Sequence, residues 1–384
     1  MKIALNALNL APGNMGGTET YFRMLYQHLL AIDQENSYRV ICYDAMAQDL
    51  ANDAANVELF TVKRYPKSDP RRHLTSFLKK ALRIDYVALA LRNLDADIVH
   101  FPFTYMYPRR VKQAAVLTFC DMQHEFLPEF FSAKKLSRRD RDYRNSVAIA
   151  DRVIAISQHT KWSLESRYGV SSDKIDVVHL GIGPEFHVVP KNSSLLKAVQ
   201  TTHGLSRPFM YYPAATWPHK NHLRLLTTLQ ILVQRYGFDG DLVLTGVSKQ
   251  DNDQVRQEVK RLGLTDRVKF LGYLPYNELP CLYNLARLLV FPSLFEGFGI
   301  PLVEAMACGC PVVCSNVASI PEVVGDAGLF FNPESEEDMA KVIWDCWNDQ
   351  DQLRQLRVRG VARAQQFTWA ETARKTLEVY RRVL

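Results

Sequence analysis

Glu296 and Glu304 flank a glycine-rich turn in SLFEGFGIPLVEAMACGCPVVCS, residues 293–315, and their surroundings suit them to binding polar groups. The apolar run LLVFPS ahead of them predicts a buried strand, and LFEGFG predicts the loop at its carboxyl end. Pro301 fits the first turn of a helix, where its missing N–H would be unpaired in any case, and Gly309 ends that helix. Glu304 then falls near a helix N-terminus, close to the free backbone N–H groups of Gly299 and Ile300. Such amides can hold a phosphate. A carboxylate beside them repels phosphate but accepts two hydrogen bonds from vicinal hydroxyls, such as those of a ribose. Glu296, placed before the turn, points to a different part of the same ligand, for instance a hexose. The plainer alternative is that Glu304 complements the helix dipole and Glu296 is solvated.

Two further loops carry groups of matching chemistry. In YYPAATWPHKNHLRLL, Lys220 stands where a helix starts near Asn221, so an ammonium and free amides together would neutralise a diphosphate; a merely exposed lysine is the alternative. In NLAPGNMGGTETYFRML, Gly13, Gly16 and Gly17 follow the first strand and precede an apolar helical pattern. Their spacing is not that of a dinucleotide fingerprint, and a tight turn alone would account for them.

The elements that must carry these loops alternate along the chain. Strand candidates in the first half are KIALNAL, YRVICYD, VELFTV, DIVHFP, AVLTFCD, RVIAIS and IDVVHLG; in the second half they are FMYYPA, DLVLTG, RVKFLGY, LLVFPS, PVVCSN and AGLFFN. Longer helical patterns separate them, which predicts an α/β protein of doubly wound parallel sheets. A chain of 384 residues suits two domains. The polar stretch VVPKNSSLLKAVQTTHGLS predicts the boundary, giving residues 1–188 and 189–366, with 367–384 a helix that completes the second domain or crosses back to the first. In such sheets ligands bind beyond the carboxyl ends of the strands, so two domains imply a cleft there.

Composition narrows the function classes. No run of about 18 apolar residues is present to span a bilayer. The N-terminus lacks the pattern of a signal peptide, and the seven scattered cysteines, with Cys308, Cys310 and Cys314 lacking a partner pair, predict buried free thiols in a reducing cytoplasm. The net charge of +6 is concentrated: Lys63, Arg64, Lys67, Arg71, Arg72, Lys79, Lys80, Arg83 and Arg92 form one basic stretch and AKKLSRRDRDYR, residues 133–144, another. These are either solvated helix faces or a surface for an anionic membrane or acceptor. No nucleic-acid motif accompanies them. No acid pair has the setting of a metal site, since Asp95 and Asp97 precede a strand and Asp251 and Asp253 lie in a polar loop.

The stretch FPSLFEGFGIPLVEAMACGCPVVCSNVASIPEVVGDAGLFFNP, residues 291–333, resembles the E-x7-E region of the retaining GT-B glycosyltransferases of glycosyltransferase family 4. The resemblance implies two Rossmann-like domains facing across a cleft and a nucleotide-sugar donor. It gives Glu304 the donor ribose, Glu296 the transferred sugar, and the amides around Phe298, Gly299 and Ile300 the sugar and phosphates. Gly16 and Gly17 resemble the family's GG-x-E donor loop, with Glu19 as helix-dipole complement. Residues 150–182 also follow the family pattern. Two positions depart from it. Many members carry an arginine where this chain has Ala214, six residues before Lys220, and most have His-Asp where it has Cys120-Asp121, with His124 following. His219, Asn221 or a residue of the other domain is left to replace the arginine. Either His124 is the displaced histidine, or Asp121 and backbone groups suffice.

Together these readings predict a retaining hexosyltransferase with Glu296, Asp121 and His124 in catalysis. Its donor is a nucleoside diphosphate sugar bound by Gly16, Gly17, Lys220, Phe298, Gly299, Ile300 and Glu304, without metal or other cofactor. The PHKNH loop and CDMQHEF strand end resemble those of bacterial polysaccharide mannosyltransferases, which favours GDP-mannose over UDP-glucose, with a saccharide or lipid-linked saccharide as acceptor. The expected location is cytoplasmic, at the inner face of a membrane. A sugar-nucleotide epimerase, a phosphorylase and a catalytically degenerate binding subunit are the alternatives.

Overall fold

The computed structural model describes residues 1–13, 16–65, 68–81, 85–247 and 252–384. Lys67, Arg83 and Asp251, together with the side chains of Lys79 and Lys80, lie outside the described residues. Seven strands, β1 (Lys2–Asn6), β2 (Ser37–Tyr43), β3 (Val57–Val62), β4 (Ile98–Phe101), β5 (Ala114–Phe119), β6 (Arg152–Ala155) and β7 (Ile175–Val177), form one parallel sheet in the order β3-β2-β1-β4-β5-β6-β7. Six more, β8 (Phe209–Pro213), β9 (Asp241–Thr245), β10 (Val268–Gly272), β11 (Leu288–Phe291), β12 (Val312–Ser315) and β13 (Gly328–Phe331), form a second in the order β10-β9-β8-β11-β12-β13. Every strand candidate read from the sequence is a strand here. The reason is burial on both faces: all residues of β4, β9, β11 and β12 are buried, so these strands appear in sequence as mostly apolar runs.

The chain divides into two compact units. The first comprises Met1–His124, Phe131–His179 and Trp369–Leu384; the second comprises Glu125–Phe130 and Leu180–Thr368. The C-terminal helix Trp369–Val383 is therefore part of the first unit, and a buried polar chain secures it. The Tyr380 hydroxyl meets His100 Nδ1 at 2.7 Å, His100 Nε2 meets Thr118 Oγ1 at 2.8 Å, and the Tyr21 hydroxyl meets the same Oγ1 at 2.8 Å. Burial pushes the His100 pKa down to about 3, so the ring is neutral and each nitrogen is satisfied by one hydroxyl.

In each sheet the strand order reverses between two neighbours, β1 and β4 in the first unit and β8 and β11 in the second. At such a switch point the loops leaving the two strands diverge to opposite faces and open a crevice at the carboxyl edge. In the second unit those loops carry Lys220, after β8, and Glu296, after β11. All seven cysteines are free, and all except Cys120 are buried. No helix among the described residues is long and apolar enough to cross a membrane.

Candidate active site

In the second unit the loops after β8 and β11 meet through an ion pair. Lys220 Nζ donates to Glu296 Oε1 at 2.5 Å, with both side chains largely covered. Backbone bonds hold the loops in that register. The Leu294 N–H donates to the His219 carbonyl at 2.8 Å, and the Tyr212 hydroxyl donates to the Lys220 carbonyl at 2.8 Å. Asn221 has φ of 60° and spends its buried amide on the carbonyls of Pro292 and Pro333, at 3.1 and 2.8 Å. It is thus a clamp between loops rather than a substitute for the arginine missing at Ala214. At Ala214 the backbone itself is crowded: a Cβ on Gly246 would lie 2.7 Å from the Ala214 carbonyl carbon and oxygen.

Beyond Glu296 the chain turns into the helix Ile300–Ala307. Gly299 caps this helix with φ of 96°, where a Cβ would also strike Leu302 Cδ1 at 2.8 Å. The Ser319 hydroxyl lies 3.0 Å from the Glu296 carbonyl and 3.2 Å from that of Phe298, and so pins the loop between them. The amides of Gly299 and Ile300 start the helix, as the position of Pro301 requires. Glu304 lies one turn further on, 7% exposed, and accepts a 2.5 Å hydrogen bond from the Tyr283 hydroxyl. Burial raises its pKa to about 7; the Tyr283 bond opposes that rise and the nearby charge of Glu185 adds to it.

In the first unit Gly16 caps the helix Gly17–Ile32 with φ of 56° and ψ of −132°, a conformation that favours glycine. Glu19 receives the Gly13 N–H at 2.8 Å and Arg23 Nε at 3.0 Å, so it ties the glycine loop to the helix. At the end of β5, Asp121 accepts the Gln123 N–H at 3.2 Å. His124 is 3% exposed, with its ring edge-on to Tyr143 and Nε2 3.2 Å from the Tyr168 hydroxyl. Burial, then the charge of Arg139, pushes its pKa down to about 4, so it is neutral at ordinary pH. Cys120 is only half-buried, but its thiol is set deep enough that loss of water pushes its pKa up to about 12, so it stays protonated and cannot act as a base at ordinary pH.

The sequence-named residues thus form two sets. Lys220, Glu296, Phe298, Gly299, Ile300 and Glu304 are brought together in the second unit, while Gly16, Gly17, Asp121 and His124 belong to the first. Sequence reasoning missed Tyr283, Ser319 and Tyr212, which position the first set. Their hydroxyls act from distant strands and helices, and nothing local marks them.

The chain is similar to known proteins over most of its length. Residues 15–186 match Glycosyltransferase Family 4, and residues 197–363 match Glycosyl transferases group 1. O-antigen chain mannosyltransferase B of Escherichia coli is 32% identical over 295 residues, which cover 77% of this chain and 76% of that protein. The chain belongs to glycosyltransferase family 4. Solved structures give this glycosyltransferase its GT-B fold. Sucrose-phosphate synthase from Thermosynechococcus elongatus superposes with a TM-score of 0.78 at 22% identity, covering 100% of this chain and 99% of the other. Anabaena Alr3699/HepE in complex with UDP-glucose gives 0.75 at 22% identity, covering 99% of each chain.

Proposed function

We propose that this glycosyltransferase is a retaining mannosyltransferase. It moves mannose from GDP-mannose to a hydroxyl of a saccharide or lipid-linked saccharide in surface polysaccharide assembly. It works without a metal ion, in the cytoplasm against the inner face of a membrane. The similarity to an O-antigen mannosyltransferase over most of both chains supports the sugar and the acceptor class. The observation that carries the mechanism is the Lys220–Glu296 pair at the switch point, beside the start of the Ile300–Ala307 helix.

Each group has a task in that reading. Lys220 exchanges Glu296 for the donor diphosphate, whose charge the Gly299 and Ile300 amides share, with Gly16 and Gly17 offering further amides. Glu296, released from the lysine, accepts hydrogen bonds from the mannose hydroxyls, and Glu304 accepts those of the ribose. Asp121 and His124 attend the sugar, the neutral imidazole as a hydrogen-bonding group rather than an acid. The bond from mannose C1 to the diphosphate oxygen breaks as the acceptor oxygen bonds to C1 on the same face. The acceptor proton passes to the departing diphosphate, and the products are GDP and the mannoside. Positive charge and amides stabilise that departure, where negative charge grows.

The test is transfer from GDP-mannose, with UDP-glucose as competitor donor, to a mannose-containing glycan acceptor. Lys220→Ala is expected to lower kcat/KM by about a hundredfold or more, the usual cost of losing one charge-stabilising group. Undiminished transfer by Lys220→Ala, or transfer from UDP-glucose alone, would overturn the proposal.

A further inference from the structure

A third carboxylate, unnamed by any sequence motif, shares an aromatic cluster with Glu304: Phe186, the residue after this carboxylate, packs edge-on against Tyr276 and against Tyr283, whose hydroxyl bonds to Glu304. Glu185 lies in the segment GIGPEF of the second unit, half-buried. Its carboxylate occupies the space that a side chain at residue 183 would fill: a Cβ on Gly183 would lie 2.3 Å from both Oε1 and Oε2 of Glu185. Its charge acts on two neighbours, pushing up the carboxyl of Glu304 and the phenol of Tyr276, each already raised by burial. Tyr276 opens the short turn Tyr276–Glu278 that follows β10. Among the described residues, no Lys, Arg or His forms an ion pair with Glu185. A part-covered carboxylate that accepts one hydrogen bond from the Tyr276 phenol, has another carboxyl for a neighbour and pairs with no cation keeps lone pairs for further donors.

We infer that Glu185 reads the base of the donor nucleotide, its two oxygens accepting the adjacent N1–H and 2-amino groups of guanine, and that Gly183 leaves it the room to do so. The inference rests on the donor reading above, in which Glu304 holds the ribose, so the next group of the ligand is the base. Phosphate is excluded by like charge. Of the common bases, guanine presents two neighbouring N–H donors that match a carboxylate. Uracil presents one N–H between two carbonyls, which would face the carboxylate with repulsion, and the pairing edge of adenine sets one amino group beside a bare ring nitrogen. Glu185 therefore selects for guanine both by what it binds and by what it repels.

The experiment is calorimetric binding of GDP, inosine diphosphate and UDP to the full chain. Inosine diphosphate differs from GDP only in lacking the 2-amino group. The unaltered protein should bind GDP about tenfold tighter than inosine diphosphate, because a part-covered acceptor left unpaired disfavours the ligand that lacks its donor. Glu185→Ala should weaken GDP and bring the two purine nucleotides to equal affinity. Gly183→Ala should do the same while keeping the charge, because its methyl group displaces only the mobile end of Glu185 and the fold tolerates it. Equal binding of both purine nucleotides by the unaltered protein, or a GDP preference that survives Glu185→Ala, overturns this inference and leaves the mannosyltransferase reading standing. Preference of the unaltered protein for UDP contradicts the donor reading, and this inference with it.

Discussion

The two glutamates that open the sequence argument have different physical states. Glu296 is paired with Lys220, whereas Glu304 is buried against Tyr283 with its pKa raised to about 7. Between the ordinary carboxyl range and that value the folded chain keeps a proton that the unfolded chain has lost, so stability falls as pH rises through the window and then levels off. Glu304→Gln removes the exchange. Its melting temperature relative to the unaltered protein should therefore rise between pH 5 and pH 8, by the equivalent of a few kcal/mol; a constant difference would show that the carboxyl is not buried as described. Both glutamates were legible as donor candidates because the glycine turn and Pro301 place them locally. That Glu296 pairs with Lys220 was not, since the two residues come from different loops. Tyr283 and Glu185 were invisible for the same reason: a phenol in LPCLYNL and an acid in GIGPEF carry no pattern of their own.

At the scale of elements, the strands were legible because parallel strands buried on both faces show as apolar runs, and β11 and β12 are plain examples. The attachment of the C-terminal helix was not, and the sequence left it undecided between two domains. Its place in the first unit depends on His100 and Thr118, two polar residues within strands that otherwise read as apolar, and no periodicity reports that they face Tyr380 and Tyr21. Tyr380→Phe leaves His100 Nδ1 buried without its hydroxyl. The cost should be about 1–3 kcal/mol, read as a lower urea midpoint for the first unit. An unchanged midpoint would mean that the apolar contacts of the helix alone secure it. The Ser319 clamp is a parallel case, a hydroxyl that fixes the Glu296–Phe298 loop from a neighbouring turn.

At the scale of the whole molecule, the basic stretches of the first unit give the proposed membrane location its physical basis. Arg64, Arg72, Lys134, Lys135 and Arg138 are exposed, and Phe77 stands 61% exposed on the helix Pro70–Ala81, which also carries Arg72. Binding to vesicles of anionic lipid should be strong at low salt and fall steeply as the Debye length contracts below about 10 Å; absence of binding at low salt would remove the membrane from the account. The central claim is retaining transfer of mannose, and the most direct test is the anomeric configuration of the product formed from GDP-α-mannose, read by NMR before any equilibration. The account predicts an α-linked mannoside, with the new bond on the face the diphosphate leaves. A β-linked product would contradict it.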